Sequence, residues 1–173
     1  MGGMHAHVIL AAGQGTRMRS RLPKVLHPLL GKPMLLYALE AALALKPERL
    51  VVVVGHGGEK VVEALEGYPV EVAWQKEQLG TAHALLQAEG LLRDFPGPFL
   101  VTQGDTPLLS PRTLEALLRR VREGAGMALL TAELPDPTGY GRILREGEEV
   151  LGNVEEKDAP PEVRAIREVN AGA

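Results

Sequence analysis

Two cations and a run of small residues follow the first apolar stretch of this chain. LAAGQGTRM at 10–18 leads into LPKVLH at 22–27, so Gly13, Gly15 and Thr16 stand close in sequence to Arg17 and Lys24. Small residues let backbone N–H groups approach a ligand, and glycine takes the positive φ that a tight anion-holding turn needs. The cations would neutralise phosphate oxygens. Any strand-to-helix turn also favours glycine, so Gly13 and Gly15 alone would carry little weight. The dinucleotide fingerprint needs a third glycine where this chain has Met18, and no stretch supplies the Walker A pattern.

The apolar pattern says what must position these residues. Continuous apolar runs at His7–Leu10, Leu50–Val54, Val70–Trp74, Phe99–Thr102 and Met127–Glu133 read as strands buried on both faces. Helical periodicity fills Pro33–Leu45, Glu59–Leu65, Gly80–Leu92 and Ser110–Arg122. The last opens with Ser110 as N-cap and Pro111 at the first helical position. Strand and helix alternate, which predicts an α/β fold: three layers, α/β/α, around a Rossmann-like, mostly parallel mixed sheet. Ligands in such sheets collect beyond the carboxyl ends of the strands, which selects the loops after Leu10, Val54, Trp74 and Thr102. From Pro135 onward the chain is turn-rich, and REGEEVLGNVEE at 145–156 reads as a hairpin into a strand at Val150–Glu156. The final Val-Asn-Ala-Gly-Ala starts a new strand pattern, which predicts a domain that continues past Ala173.

Composition narrows the classes. A formal net charge of −3 gives no general attraction to a nucleic-acid polymer. With no cysteine there is no thiol nucleophile or zinc–thiolate site, and nothing argues for an oxidising compartment. No apolar run is long enough for a membrane span or signal core, so the expectation is a cytoplasmic protein. The five histidines, His5, His7, His27, His56 and His83, form no ligand spacing and read as structural or surface residues.

Taken whole, LAAGQGTRMRSRLPKVLHPLLGKP resembles the signature of the nucleotide-sugar pyrophosphorylases, and LPKVLH narrows it to the N-acetylglucosamine-1-phosphate uridyltransferase (GlmU-type) branch. QKEQLGTAHA at 75–84, QGDTPLLS at 103–110, DPTGYGRI at 136–143 and VEEKDA at 154–159 extend the resemblance in order along nearly the whole chain. It implies that Leu10, Ala11, Ala12, Gly13, Gly15 and Thr16 hold the nucleotide and that Arg17 and Lys24 meet the triphosphate. Gln75, Gly80 and Thr81 would complete base recognition, since an amide offers both donor and acceptor to a pyrimidine edge. Asp105 would ligate Mg2+, and Gly104, Gly141, Glu155 and Asn170 would hold the sugar. Spacing alone leaves other readings open: a solvated strand end for Gln75, a turn or helix cap for Asp105, and for Gly141, Glu155 and Asn170 a loop glycine, a surface carboxylate and a polar strand end. Two positions depart from the family, Gln103 where several relatives carry Tyr, and Ala171 where Thr is usual.

The reaction implied by the resemblance joins UTP and N-acetylglucosamine 1-phosphate into UDP-N-acetylglucosamine and pyrophosphate, for cell-envelope precursors. Arg17, Lys24 and Asp105 are its catalytic residues. Transfer of another nucleotide to a sugar phosphate or a molybdopterin, or nucleotide sensing without turnover, are the alternatives. The whole of 1–173 is expected to be one nucleotidyltransferase domain. It contains no hexapeptide repeat of the kind that makes full-length relatives trimeric, so a monomer is expected. Family members take a second magnesium ligand, an Asn, from a segment farther downstream, so this chain alone should bind UTP or UDP-N-acetylglucosamine weakly and turn over far more slowly than a chain that carries that segment.

Overall fold

Apolar runs flanked by turns become the strands of a parallel sheet whose two central strands, Ala6–Ala11 and Arg49–Val54, are buried almost throughout. In the computed structural model, residues 4–13 and 21–173 are described. The chain forms two compact units, Met1–Ala125 and Gly126–Ala173.

In the first unit, β1 (Ala6–Ala11) is followed by a short hairpin of β2 (Pro28–Leu29) and β3 (Lys32–Pro33), then α1 (Met34–Ala44), β4 (Arg49–Val54), α2 (Gly58–Ala64) and β5 (Glu71–Trp74). Next come α3 (Thr81–Leu86), α4 (Glu89–Leu92), β6 (Phe99–Gln103) and α5 (Pro111–Arg122). The main sheet has the order β5-β4-β1-β6, with every pairing parallel. From β1 the chain builds outward through β4 to β5 and then returns to the other side of β1 with β6. That reversal places a topological switch point between β1 and β6, where open α/β sheets hold their ligands.

Alternation along each strand feeds two cores. Ile9 and Ala11 pack with Val52, Val54, Leu35 and Leu39 on the face covered by α1 and α2. Val8 and Leu10 pack with Val51, Val53, Ala84 and Ala88 on the opposite face, against α3 and α4. The three-layer α/β expectation is therefore borne out. Each fully buried Val or Ile contributes roughly 1.5–3 kcal/mol, which makes the strand ends rigid mounting points. Ser110 caps α5 as expected, its side chain accepting from the Thr113 N–H at 3.2 Å, and Leu114 and Leu118 are buried.

Two elements differ from the sequence reading. The helix expected over Gly80–Leu92 is divided into α3 and α4. At the break the backbone tightens to three-residue turns, the Gln87 N–H donating to the Ala84 carbonyl at 3.1 Å and the Ala88 N–H to the Leu85 carbonyl at 3.0 Å, while the Gln87 side chain donates to the His83 carbonyl at 3.0 Å. The strand expected at Met127–Glu133 shrinks to β7 (Thr131–Glu133) and pairs antiparallel in the second unit, so it does not extend the parallel sheet.

The second unit continues with β8 (Arg142–Glu146), β9 (Glu149–Val154), a 3-10 turn at Glu156–Asp158, α6 (Pro161–Arg164) and β10 (Glu168–Asn170). Its sheet has the order β7-β10-β8-β9 and is antiparallel throughout. The expected hairpin is present, with Gly147 at φ 60 between β8 and β9.

Candidate active site

At the switch point, Leu10 of β1 lies in register with Gln103 of β6, and the Gly104 N–H donates to the Leu10 carbonyl at 2.9 Å. A Cβ at Gly104 would stand 3.0 Å from Val25 and 3.2 Å from Leu35, so close packing accounts for glycine there. Above this join is a cavity of about 150 Å3, with Leu10, Ala12 and Gly13 on one side and Gln75, Gly80 and Thr81 on another. Six of the residues expected to hold a nucleotide thus line one space. The Ala11 side chain is buried in the opposite core, leaving only its backbone available.

Two backbone features shape that cavity. Gly80, at φ 99, begins α3 in a conformation that L side chains rarely adopt, and its carbonyl accepts from the Ala84 N–H at 3.0 Å. Gln75 follows β5 and is only 3% exposed; its Nε2 donates to the Gly80 carbonyl at 3.2 Å and contacts His83 Nδ1 at 2.9 Å. Gln78 reaches across and donates to the Ala12 carbonyl at 2.9 Å. Gly55 makes that reach feasible, because a Cβ there would lie 2.7 Å from Gln78 Nε2 and 2.8 Å from the Ala12 oxygen.

A second cavity shares Leu10, Gly13 and Gln103 with the first and leads to Lys24 and Asp105. Lys24 opens a 3-10 turn whose Val25 and Leu26 are buried. Asp105 lies two residues beyond β6, where Thr106 closes a turn by donating its hydroxyl to the Gln103 carbonyl at 2.9 Å. The Lys24 ammonium and the Asp105 carboxylate are 3.0 Å apart, with side chains 47% and 29% exposed. Such a half-solvated pair is worth little as stability, about 0–1 kcal/mol, so both charges can be redirected to a ligand at small cost. Asp105 is the carboxylate that could hold a hard cation, and Lys24 the charge that could meet a phosphate. Gly15, Thr16 and Arg17 lie outside the described residues.

In the second unit, the Asn170 N–H donates to the Gly141 carbonyl at 3.1 Å, and Asn170 Oδ1 accepts from the Gly172 N–H at 2.9 Å. Glu155, just past β9, accepts from Asn153 Nδ2 at 3.1 Å. The Asn153 amide also lies directly over Gly141, where a Cβ would meet its Oδ1 at 2.5 Å. Of the four residues expected to hold a sugar, these three adjoin one another: the unexpected Asn153 bridges Glu155 and Gly141, and Asn170 joins Gly141 through its own backbone. Beneath them Arg142, 2% exposed, donates to the carbonyls of Tyr140 and Arg164 and stands 3.8 Å from Glu156.

Sequence reasoning passed over Gln78, His83, Gly55 and Asn153. Gln78 and His83 lie inside the quoted QKEQLGTAHA stretch, so the signal was present without a role. Gln103, one of the two positions that depart from the family, lines both cavities.

The family model described as the MobA-like NTP transferase domain matches residues 7–160. The chain belongs to that family. Membership agrees with the cavity geometry at the switch point and with the cation and carboxylate beside it. Among curated relatives, the Bifunctional protein GlmU of Syntrophotalea carbinolica is 55% identical over 168 residues, covering 96% of this chain and 36% of that protein. The Bifunctional protein GlmU of Pelotomaculum thermopropionicum is 54% identical over 169 residues, covering 96% and 37%. This member of the NTP transferase family thus spans just over a third of the length of those relatives, and the GlmU-type resemblance read from its motifs is borne out. Among solved structures, UDP-glucose pyrophosphorylase complexed with UDP-glucose superposes with a TM-score of 0.81 at 22% identity, over 98% of this chain and 74% of that one. A nucleotidyl transferase from Methanothermobacter thermautotroptrophicus superposes with a TM-score of 0.59 at 29% identity, over 86% and 69%. The first establishes the fold. Among the described residues, no helix is long and apolar enough to cross a membrane.

Proposed function

We propose that this chain transfers a uridylyl group from UTP to N-acetylglucosamine 1-phosphate, giving UDP-N-acetylglucosamine and pyrophosphate. The observation that carries the reading is the pair of adjoining cavities: a buried amide beside backbone groups at one end, and Lys24 with Asp105 at the other, with Leu10, Gly13 and Gln103 common to both. That sequence of surfaces suits a base, then a sugar, then phosphates. The GlmU name borne by relatives at 54–55% identity supports the same substrates.

In this reading a sugar-phosphate oxygen forms a bond to the α-phosphorus while the bond from that phosphorus to the β-phosphate bridging oxygen breaks. The nucleophile is already anionic, so no general base is needed, and catalysis is positioning and charge neutralisation. Gln75, Gly80 and Thr81 orient the base. Leu10, Ala11, Ala12, Gly13, Gly15 and Thr16 hold the nucleotide by backbone and small side chains. Lys24 and Arg17 neutralise the triphosphate and the leaving pyrophosphate. Gly141, Glu155 and Asn170 of the second unit are assigned to the acetamido sugar.

The donor set is consistent with Mg2+ bound at Asp105. Among the described residues no group of three or more His, Cys, Asp or Glu could cage a metal, and one carboxylate combined with substrate phosphates is how magnesium is usually held. When bound, the ion supplies Lewis-acid charge to phosphate oxygens. We further propose that residues 1–173 act as one nucleotidyltransferase domain, monomeric and cytoplasmic, with no nucleic-acid or membrane partner.

The test is pyrophosphate release with Mg2+ across a panel of UTP, dTTP, CTP and GTP against N-acetylglucosamine 1-phosphate, glucose 1-phosphate and molybdopterin. Calorimetric nucleotide binding is measured alongside. Turnover confined to UTP and the acetamido sugar is expected. Preference for another pair overturns the substrate assignment, and tight binding with no product under any pairing overturns the enzymatic one.

A further inference from the structure

Gln75 can recognise a base only if its amide is held one way round, because its oxygen accepts and its nitrogen donates. The nitrogen faces two groups, the Gly80 carbonyl at 3.2 Å and His83 Nδ1 at 2.9 Å. A carbonyl can only accept, so Gly80 requires the NH2 end on that side. The second amide hydrogen then points at His83, whose Nδ1 must accept it; the imidazole is neutral and carries its proton on Nε2. The Gln87 amide also comes within 3.4 Å of His83 Nε2, but its shorter bond goes to the His83 carbonyl at 3.0 Å, and the 2.9 Å contact at Nδ1 is the tighter of the two on the ring, which makes Nδ1 the accepting nitrogen.

With both amide hydrogens engaged, Gln75 Oε1 is the polar atom left for the cavity that Gln75 lines, and among the described residues it has no hydrogen-bond partner. We propose that His83 is a positioning residue that sets base specificity without touching the base: its unprotonated Nδ1 locks the Gln75 amide so that an acceptor faces the nucleobase. This rests on the uridyltransferase reading and deepens it. An acceptor at that point pairs with the ring N3–H of uracil or thymine. It meets the N3 lone pair of cytosine, so CTP is rejected by an unpaired acceptor and not by size. Without an acceptor at position 83, the amide keeps only the Gly80 carbonyl, which Ala84 already shares. It can then turn to offer its NH2 to the base.

The experiment compares wild type, His83→Leu and His83→Asn for binding and turnover of UTP and CTP, with thermal melts to establish folding. Asn keeps an acceptor at the position of Nδ1, and Leu has none. For His83→Leu we expect the UTP-over-CTP preference, read as the ratio of KM values, to fall about 10-fold, the scale of one hydrogen bond. Saturated kcat should be unchanged, and Asn should recover most of the preference. A folded His83→Leu with wild-type preference overturns the inference and leaves the uridyltransferase reading intact; a wild type that binds no nucleotide overturns that reading itself. Independently of any variant, nitrogen NMR of the wild-type imidazole should show the Nε2–H tautomer of His83. A protonated Nδ1 would overturn the proposal whatever the kinetics.

Discussion

The two compact units place their polar groups by opposite means. In the first, β1 and β4 are buried on both faces, so chemistry is confined to where strands stop, and the groups on offer are carbonyls, glycines and side chains one or two residues past a strand end. In the second, exposure alternates along β9, and the sheet is tied by polar contacts: Arg145 to Glu168 in a fork, Thr131 to Glu168 at 2.8 Å, and buried Arg142 to neighbouring carbonyls. The apolar residues buried there are few, chiefly Ile143, Ala159 and Val169. The first arrangement gives rigidity at the reacting end, and the second gives a surface rich in hydrogen-bonding groups whose order depends on charge.

If that contrast is right, the largest effects of substitution belong to the first unit. Lys24→Ala or Asp105→Ala should lower turnover by about 10²–10³-fold, the scale of one lost electrostatic contact in a transition state. Glu155→Ala should mainly raise the KM for the sugar phosphate, by about 10-fold. Initial-rate measurements on all three check this, and a larger kcat loss at Glu155 than at Lys24 would break the comparison.

Gly55→Ala probes the strand-end packing. The new Cβ would fall within 2.8 Å of the Ala12 carbonyl oxygen and displace Gln78. Destabilisation of about 1–3 kcal/mol is expected, together with weaker UTP binding, measured by denaturant melts and calorimetry.

His7 sharpens the point by pH. It is fully buried, its Nε2 is 2.8 Å from Thr102 Oγ1, and burial, with His5 as a lesser cause, lowers its pKa from 6.5 to about 3. The unfolded chain therefore binds a proton that the folded one refuses between those values. Stability from this group is complete above about pH 6.5 and is lost as pH falls toward 3, with a slope near 1.4 kcal/mol per pH unit. Urea melts at pH 4, 5.5 and 7 should show the slope in wild type and its flattening in His7→Leu.

The smallest effect is expected at the surface of the second unit. Glu168 is held below its usual carboxylate range by the Arg145 hydrogen bond first, and also by Thr131. Its contribution is present above the unfolded carboxylate pKa and fades as pH drops below it. Glu168→Gln should lower Tm by roughly 2 °C at low salt and less at high salt.

How much of this was legible beforehand follows from where each signal is stored. Ser110 and Pro111 carry their instruction locally, and residues 51–54 are a run of one residue type, so α5 and β4 could be read directly. The break between α3 and α4 could not, because it is a local tightening of the backbone at Gln87 and Ala88 beneath an apolar periodicity that runs on through both helices. Met127–Glu133 looked like another sheet strand because apolarity marks a strand without naming its partner. Lys24, Asp105 and Gln75 came through the motif resemblance. Gln78 and Asn153 did not, since their roles arise from contacts with the Ala12 carbonyl, 66 residues away, and with the backbone of Gly141.

The carbonyl of Gly80 serves two masters, closing the first turn of α3 through Ala84 and anchoring the Gln75 amide. A helix of six residues has little cooperativity of its own, so fraying of that turn and loosening of the amide are one opening event. Whatever occupies Gln75 should then slow hydrogen exchange at the Ala84 amide, although that amide faces no ligand. A backbone proton would thus report occupancy of the pocket, and the exchange rate of Ala84 could be read as a binding isotherm.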